Sequence, residues 1–359
     1  MEKITSKHFI FFIIATLSTT LFNYPSLFIR LGGRNTWVFS IIASVIFFFF
    51  VILILSIVRK NNAYKFDEVC YTALGKPLGT LFLVIFSIGL VLICIESASV
   101  SSSAIHTNIF IATPIWYSLV FFIGTTLFIS KNGFKSVLIT AVVSVSIASA
   151  LAVLIGILSI KYTDLRRLLP ILKNTNVTMW TSSILSQVGA LSSFFVLLPF
   201  LKRVDDKNNL RKVSLITIPL VLFCLIFFIV NLISSIGAER SGNIFYPEFI
   251  QAQLIYFGGF IENGDIITMT VSLLLWTMKY VISIFSLYSI WEDKFKNKLI
   301  FLSIVSIVVY ISSLYLAKNV YTLFNILPYY QYISLVIFFI LPIIIYGIYP
   351  LRKKAKVHK

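Results

Sequence analysis

Apolar runs of about twenty residues follow one another along nearly the whole chain, and no other feature narrows the possible folds as much. A bilayer core of about 30 Å needs roughly 20 apolar residues in a helix. Ten runs meet or approach that length: His8–Ile29, Trp37–Val58, Leu78–Phe110, Ile115–Ile129, Val137–Ile160, Met179–Leu201, Val213–Ala238, Ile266–Ile290, Leu299–Leu316 and Leu323–Tyr349. Inside lipid every backbone N–H and C=O must find its partner within the protein, so such runs fold as helices. The expected fold class is all-α, a polytopic membrane protein with ten transmembrane helices in one integral membrane domain. Composition agrees, because 58% of the 359 residues are apolar and only 12% charged. Soluble domains carry about 25% charged residues, so a water-soluble enzyme of two domains is excluded. The third run is long enough to tilt or to project from the membrane. The fourth is short, held between Pro114 and Lys131.

The formal charge of +17, from 30 Lys and Arg against 13 Asp and Glu, would point to nucleic acid in a soluble chain. In a membrane protein it reflects topology, because basic residues gather in cytoplasmic loops. No nucleic-acid partner is expected. Ten spans put both termini on one side. With the termini in the cytoplasm, a clear majority of basic residues lies inside, including the Lys202–Lys212 loop and the Arg352–Lys359 tail. The outer segments hold Arg30, Arg34, Lys161, Arg166, Arg167, Lys173, Arg240 and Lys318, and Lys161–Lys173 is the one loop that breaks the alternation. The first run is read as a retained helix, since Asn23, Tyr24, Pro25 and Arg30 follow it where a signal peptide would have a small-x-small cleavage site. Cys70, Cys94 and Cys224 form no CxxC and read as buried small apolar groups. No disulfide, metal site or cofactor is expected. HExxH, GxSxG and Walker A motifs are all missing, and three histidines leave little acid–base equipment, so the chain is not expected to be an enzyme.

Two spans look interrupted. The first carries Ser18, Thr19 and Thr20, then Asn23-Tyr24-Pro25; the sixth carries Gln187, Gly189, Ser192 and Ser193, with Pro199 near its end. Breaks at matching positions of two halves point to a midplane substrate site, whereas ordinary proline kinks would need only local repair of the backbone. The pattern alone leaves both readings open. The fifth span has an i, i+4 ladder of small residues, Ser136, Thr140, Ser144, Ala148, Ala152 and Gly156, which suits close helix packing. Phe245–Phe260 alternates apolar and polar residues and is expected to lie at the outer interface as a short amphipathic helix.

Two intramembrane charges stand out: Glu96, followed by a serine-rich stretch, and Lys279, on a face with Ser272, Trp276 and Ser283. Each costs at least about 2.5–3.5 kcal/mol on insertion scales, so function is the first reading and a structural ion pair the second. Counted from the inner end of its own span, Glu96 lies roughly 25 Å up and Lys279 roughly 15 Å up, at 1.5 Å per residue. Contact between them is therefore marginal by this measure, and a functional role for Lys279 ranks slightly ahead of pairing. His106 reads as an interfacial polar residue.

Several stretches resemble the spore germination receptor B-subunit family (GerAB-type proteins) of the amino acid–polyamine–organocation transporter superfamily. They are Ile4-Thr5-Ser6-Lys7, Pro25 followed by Gly32-Gly33-Arg34-Asn35-Thr36-Trp37, Ala73-Leu74-Gly75-Lys76-Pro77-Leu78-Gly79, and Thr113-Pro114. The most specific piece is Asp164-Leu165-Arg166-Arg167-Leu168-Leu169-Pro170, and Phe260-Ile261-Glu262, Asp265 and Trp276-x-x-Lys279 complete the series. The order and spacing of these pieces cover effectively the whole chain. The resemblance implies a LeuT-like five-plus-five inverted repeat, residues 1–160 and 161–359, with helices 1 and 6 broken around the site. It further implies a nutrient-sensing complex in the inner membrane of a bacterial spore, with a larger A subunit and a lipoprotein C subunit as partners in the lipid bilayer. The implied ligand is an amino acid or other small nutrient. An amino-acid carboxylate would meet free amides at a break, which nominates Thr19, Thr20, Asn23 and Tyr24 with Gln187, Gly189, Ser192 and Ser193. The chain departs from the family pattern in having Thr19, Thr20 and Asn23 where glycines are frequent, and Gly189-Ala190 where Gly-Glu is frequent. The missing acid favours a sensor over an amino-acid transporter of the same fold.

Overall fold

The computed structural model describes residues 4–173, 175–256 and 263–357. Asn174, the 257–262 part of the outer segment with its Phe260-Ile261-Glu262 motif, and Lys359 lie outside them. Among the described residues, eight helical stretches are long and apolar enough to cross a membrane, and Ile115–Lys131 is a shorter apolar helix. One of the eight, Pro25–Asn61, joins the second half of span one to span two, and the separate helix Ser6–Ser18 supplies the first half of span one. The ten-span order read from the sequence is thus recovered.

Span one is broken where its side chains compete with the helix. The Ser6–Ser18 helix ends at Thr19, a short turn runs over Thr20–Asn23, and Tyr24 leaves helical geometry at φ −130° and ψ 6°. Pro25 then opens a new helix, Pro25–Gly32. A proline suits the first position of a helix, where its missing N–H is no loss, and it disfavours the α conformation in the residue before it. Gly33, at φ 54°, turns the chain into span two, Thr36–Asn61. Span three, Lys76–Asn108, is 33 residues long, about 50 Å at 1.5 Å per residue, and therefore tilts across the bundle.

Span six changes character without a gap. Val177–Leu191 is α-helical, and Ser192–Arg203 continues as a 3-10 helix with Pro199 inside it. Spans six and eight form the interior, with 89% and 78% of their most apolar stretches buried. The fifth and ninth are peripheral, at 22% each. On span five the buried stripe runs through Phe134, Val137, Ala141, Ser144, Val145 and Ala148, so Ser144 and Ala148 of the small-residue ladder pack while Ala152 is exposed. Cys70 and Cys94 are buried free thiols; Cys224, expected to be buried, lies instead on the outward face of span seven near Leu220 and Phe223.

The outer segment departs from expectation more plainly. Its helix, Pro247–Gln253, is not an interfacial amphipath: Phe249, Glu248, Gln251 and Ala252 are all buried. The polar residues turn inward because the bundle offers them a place, as where Gln251 Nε2 donates to Asn231 Oδ1 of span seven. Glu248 keeps both carboxylate oxygens buried without a partner among the described residues, and burial pushes its carboxyl well above the usual carboxylate range.

Candidate functional site

The break in span one is filled by a carboxylate from span three. Asn23 Nδ2 and the Tyr24 hydroxyl both donate to Glu96 Oε1, and Lys279 Nζ from span eight lies 3.2 Å from Oε1 and 3.1 Å from Oε2. The Trp276 indole N–H donates to Asn23 Oδ1 at 2.5 Å. Because an indole nitrogen only donates, this bond fixes the amide: its oxygen faces Trp276 and its NH₂ group faces the carboxylate. Three spans, one, three and eight, therefore meet at one ion pair, whose two side chains are each 2% exposed.

The marginal contact expected between Glu96 and Lys279 is thus a direct salt bridge. The depth estimate failed because the inner ends of spans three and eight are not level. Trp291 Nε1, at the inner end of span eight, donates to Ser87 Oγ at 2.8 Å, eleven residues into span three. From that shared level Glu96 is nine residues up and Lys279 twelve, a difference of about 4.5 Å that a lysine side chain spans easily. Cys94 Sγ, 3.8 Å from the Tyr280 carbonyl oxygen, marks the same register.

The remaining nominated residues sort by what they touch. Thr19 Oγ1 donates to the Thr16 carbonyl at 3.0 Å, and Ser192 Oγ to that of Gly189 at 2.5 Å. Ser193 Oγ reaches both the Ala190 carbonyl at 3.0 Å and the Thr16 carbonyl at 3.2 Å, tying broken span six to broken span one. These three hydroxyls satisfy backbone carbonyls released near the breaks. Thr20 Oγ1 and Gln187 Oε1 are buried without partners among the described residues, although Gln187 Nε2 donates to Ser183 Oγ at 3.3 Å. Gly189 is a packing position, because a Cβ there would stand 2.2 Å from the Gln331 carbonyl oxygen of span ten. Gln331 itself escaped the sequence reading. It is wholly buried, accepts from Ser186 Oγ, and leaves its own NH₂ group unpartnered among the described residues. A lone glutamine among tyrosines gives little sequence signal, since only the bundle shows which residues face it.

Both ends of the core are tied. On the face that carries the N-terminus Lys202 and Arg203 hold Glu292 at 2.8 and 2.9 Å, and Ser6 Oγ donates to Asp206 Oδ2 at 2.6 Å. On the opposite face Ser26 Oγ donates to the Phe245 carbonyl at 3.0 Å, and His106 Nδ1 lies 2.9 Å from the Thr113 carbonyl oxygen. His106 therefore fastens a loop. Among the described residues, no group of three or more His, Cys, Asp or Glu stands close enough to hold a metal ion.

The sequence profile of the spore germination protein family matches residues 3–321. The chain belongs to the spore germination protein family. No curated protein matches it. In fold this germination protein is similar to a Na⁺-coupled sialic acid symporter solved in a substrate-bound outward-open state, with a TM-score of 0.57 and 14% identity. That likeness covers 91% of this chain and 78% of the symporter. At such identity it shows the fold alone: a LeuT-like bundle of five-plus-five spans, with helices 1 and 6 broken. The spore germination protein is accordingly a permease-like, multi-pass membrane protein.

Proposed function

We propose that the protein is the membrane-embedded subunit of a spore nutrient receptor, and that it binds an amino acid at the crossing of spans one, three and eight. The observation that carries this reading is the convergence of Asn23, Tyr24 and Lys279 on the Glu96 carboxylate inside the break. Three donors aimed at one buried carboxylate form a receptor for carboxylates, and at rest the chain supplies its own. An incoming amino acid offers a second carboxylate for the same donors and an ammonium for the released Glu96. Such an exchange replaces one buried ion pair by two, so no charge is left alone in a low-dielectric site. Removing Glu96 from Asn23 and Tyr24 would move span three relative to the break, which is a route from binding to signal.

In this reading the protein sits in the inner membrane of the spore with both termini in the cytoplasm, and it works with a larger A subunit and a lipoprotein C subunit. A covalently fixed ammonium at the site takes the place of a soluble coupling cation, and position 190 carries alanine. Both features favour sensing over ion-driven uptake. The symporter-like fold keeps a second reading in view, an amino-acid permease. Purified protein in liposomes separates the two: saturable amino-acid binding without uptake is expected of the receptor, and concentrative uptake would establish the permease.

A further inference from the structure

The face opposite the chain termini carries an open cavity of about 940 Å³ whose lining includes Arg34, Arg166, Arg167, Arg240, Glu239 and Asn243. Four guanidinium groups share this hollow with one carboxylate. Three separate connections bring them together: the turn Gly33–Asn35 after span one, the turn Leu165–Leu168 between spans five and six, and the helix Ala238–Asn243 after span seven.

The cavity is built from loops that hold one another. Arg34 Nη1 donates to the Leu169 carbonyl at 2.6 Å, and Arg167 Nη1 donates to the Ser235 carbonyl. The Asn35 side-chain oxygen accepts from the Leu172 amide at 2.8 Å, and the Asp164 amide donates to the Ser234 carbonyl at 2.9 Å. Two of the arginines are thus anchored by one nitrogen each, and an arginine has five N–H donors. The guanidinium groups of Arg166 and Arg240 have no ion-pair or hydrogen-bond partner among the described residues, although the Arg166 backbone N–H donates to Asp164 Oδ1. Arg166 and Arg167 also belong to the one loop that breaks the basic-residue asymmetry, where positive charge opposes the topological bias.

We propose that this cavity binds a small oxyanion carrying at least two anionic groups, a polycarboxylate or polyphosphate type of ligand. Guanidinium forks match carboxylate and phosphate oxygens in paired hydrogen bonds, and four of them on different connections suit a ligand that bridges rather than a single charge. The cavity adjoins the second half of span one. Arg30 Nε donates to the Gly242 carbonyl at 3.2 Å, and Arg34 follows the Pro25–Gly32 helix directly in the chain. A bound anion linking Arg34 to Arg166 and Arg240 would clamp that half-helix against the neighbouring connections. Occupancy would therefore resist any opening of the break from this face. The same phosphate chemistry is offered by a free solute and by the headgroup of an anionic lipid.

The test uses the full chain in nanodiscs without amino acid, so its result does not depend on the nutrient reading. Inorganic pyrophosphate and citrate are titrated in zwitterionic nanodiscs by calorimetry, and retention of cardiolipin, whose headgroup carries two phosphates, is followed separately by native mass spectrometry. Binding of either solute to the wild type, weakened at least tenfold in R166Q/R240Q and falling with salt, is the result expected of a solute site. Cardiolipin retained by the wild type and lost from R166Q/R240Q is the result expected of a headgroup site. Because neither arginine has a structural partner, the double variant should keep the wild-type melting temperature, and R352Q serves as a charge control. Equal binding by wild type and R166Q/R240Q, equal loss in R352Q, or no binding of any probe would overturn the proposal.

Discussion

Spans one and six are both interrupted near the middle of the membrane, yet the two interruptions are built differently. In span one the side chains at the break, Asn23 and Tyr24, leave their own backbone and serve a carboxylate on another helix. In span six the helix tightens into 3-10 geometry, Ser192 turns back to its own helix, and Ser193 bonds backbone carbonyls of its own helix and of span one. The sixth span also presses Gly189 against the span-ten backbone. A polar break can thus be a site or a repaired kink, and the deciding observation is whether its side chains point away from the local backbone. In span one that measure singles out Asn23 and Tyr24, which serve Glu96, whereas the Ser192 and Ser193 hydroxyls of span six serve backbone carbonyls.

The largest effect is expected at the ion pair. Lys279→Ala strands a buried carboxylate, which typically costs about 3–5 kcal/mol, so the amount of folded protein in the membrane should fall steeply. Adding Glu96→Ala should restore much of it, as measured by fluorescence-detected chromatography, because the double change leaves no charge alone. Full abundance of the single variant would place Lys279 in a hydrated path and break the contrast. Next comes Gly189→Ala on span six. Its Cβ meets backbone at 2.2 Å, and overpacking of this kind costs about 1–3 kcal/mol, read as a lower melting temperature.

A paired comparison sharpens the distinction. Asn23→Ala leaves the Trp276 N–H unpaired and removes one of the donors to Glu96 Oε1, a loss of about 1–3 kcal/mol, and should abolish amino-acid binding in whatever protein remains folded. Ser193→Ala removes a hydroxyl that only mends carbonyls, costs about 1 kcal/mol, and should leave binding unchanged. Equal binding defects in the two would erase the distinction between the breaks.

The smallest effect lies outside both breaks. Glu248 has its folded pKa raised by burial, so its contribution to stability is full below the ordinary glutamate value and is lost as pH rises from there through the folded value. Glu248→Gln should therefore flatten the dependence of melting temperature on pH and raise it near neutrality. An unchanged slope in the variant would show that the carboxyl is not the group responsible.

How much of this was legible in the sequence follows from the range of the interactions involved. Spans were legible because bilayer thickness imposes a length on each apolar run. The break at Asn23-Tyr24-Pro25 was legible because proline restricts its neighbour locally. Glu96 and Lys279 stood out because charges are rare at such depth. Their contact was not legible, since it depends on the offset between two helices, which the Trp291–Ser87 bond fixes from far away in the chain. Gln331 was missed for the same reason. The outer helix was misjudged because its alternation of polar and apolar residues says nothing about which face the bundle will cover. Thr19, Ser192 and Ser193 were rightly placed near breaks, but spacing cannot tell a hydroxyl that bonds a carbonyl from one that faces a ligand.

The central claim is that an amino-acid carboxylate competes with Glu96 for Asn23, Tyr24 and Lys279. It is tested most directly by measuring, on reconstituted protein, the binding of a panel of amino acids and of their N-acetyl derivatives to the wild type and to Glu96→Gln. The N-acetyl compounds keep the carboxylate and lack the ammonium, so in the wild type they would strand Glu96 and should bind weakly. In Glu96→Gln the lone Lys279 ammonium welcomes a carboxylate by itself, and binding of the N-acetyl compounds should strengthen by at least about tenfold, or about 1.4 kcal/mol. Affinities for both compound classes that are the same in wild type and Glu96→Gln would contradict the account.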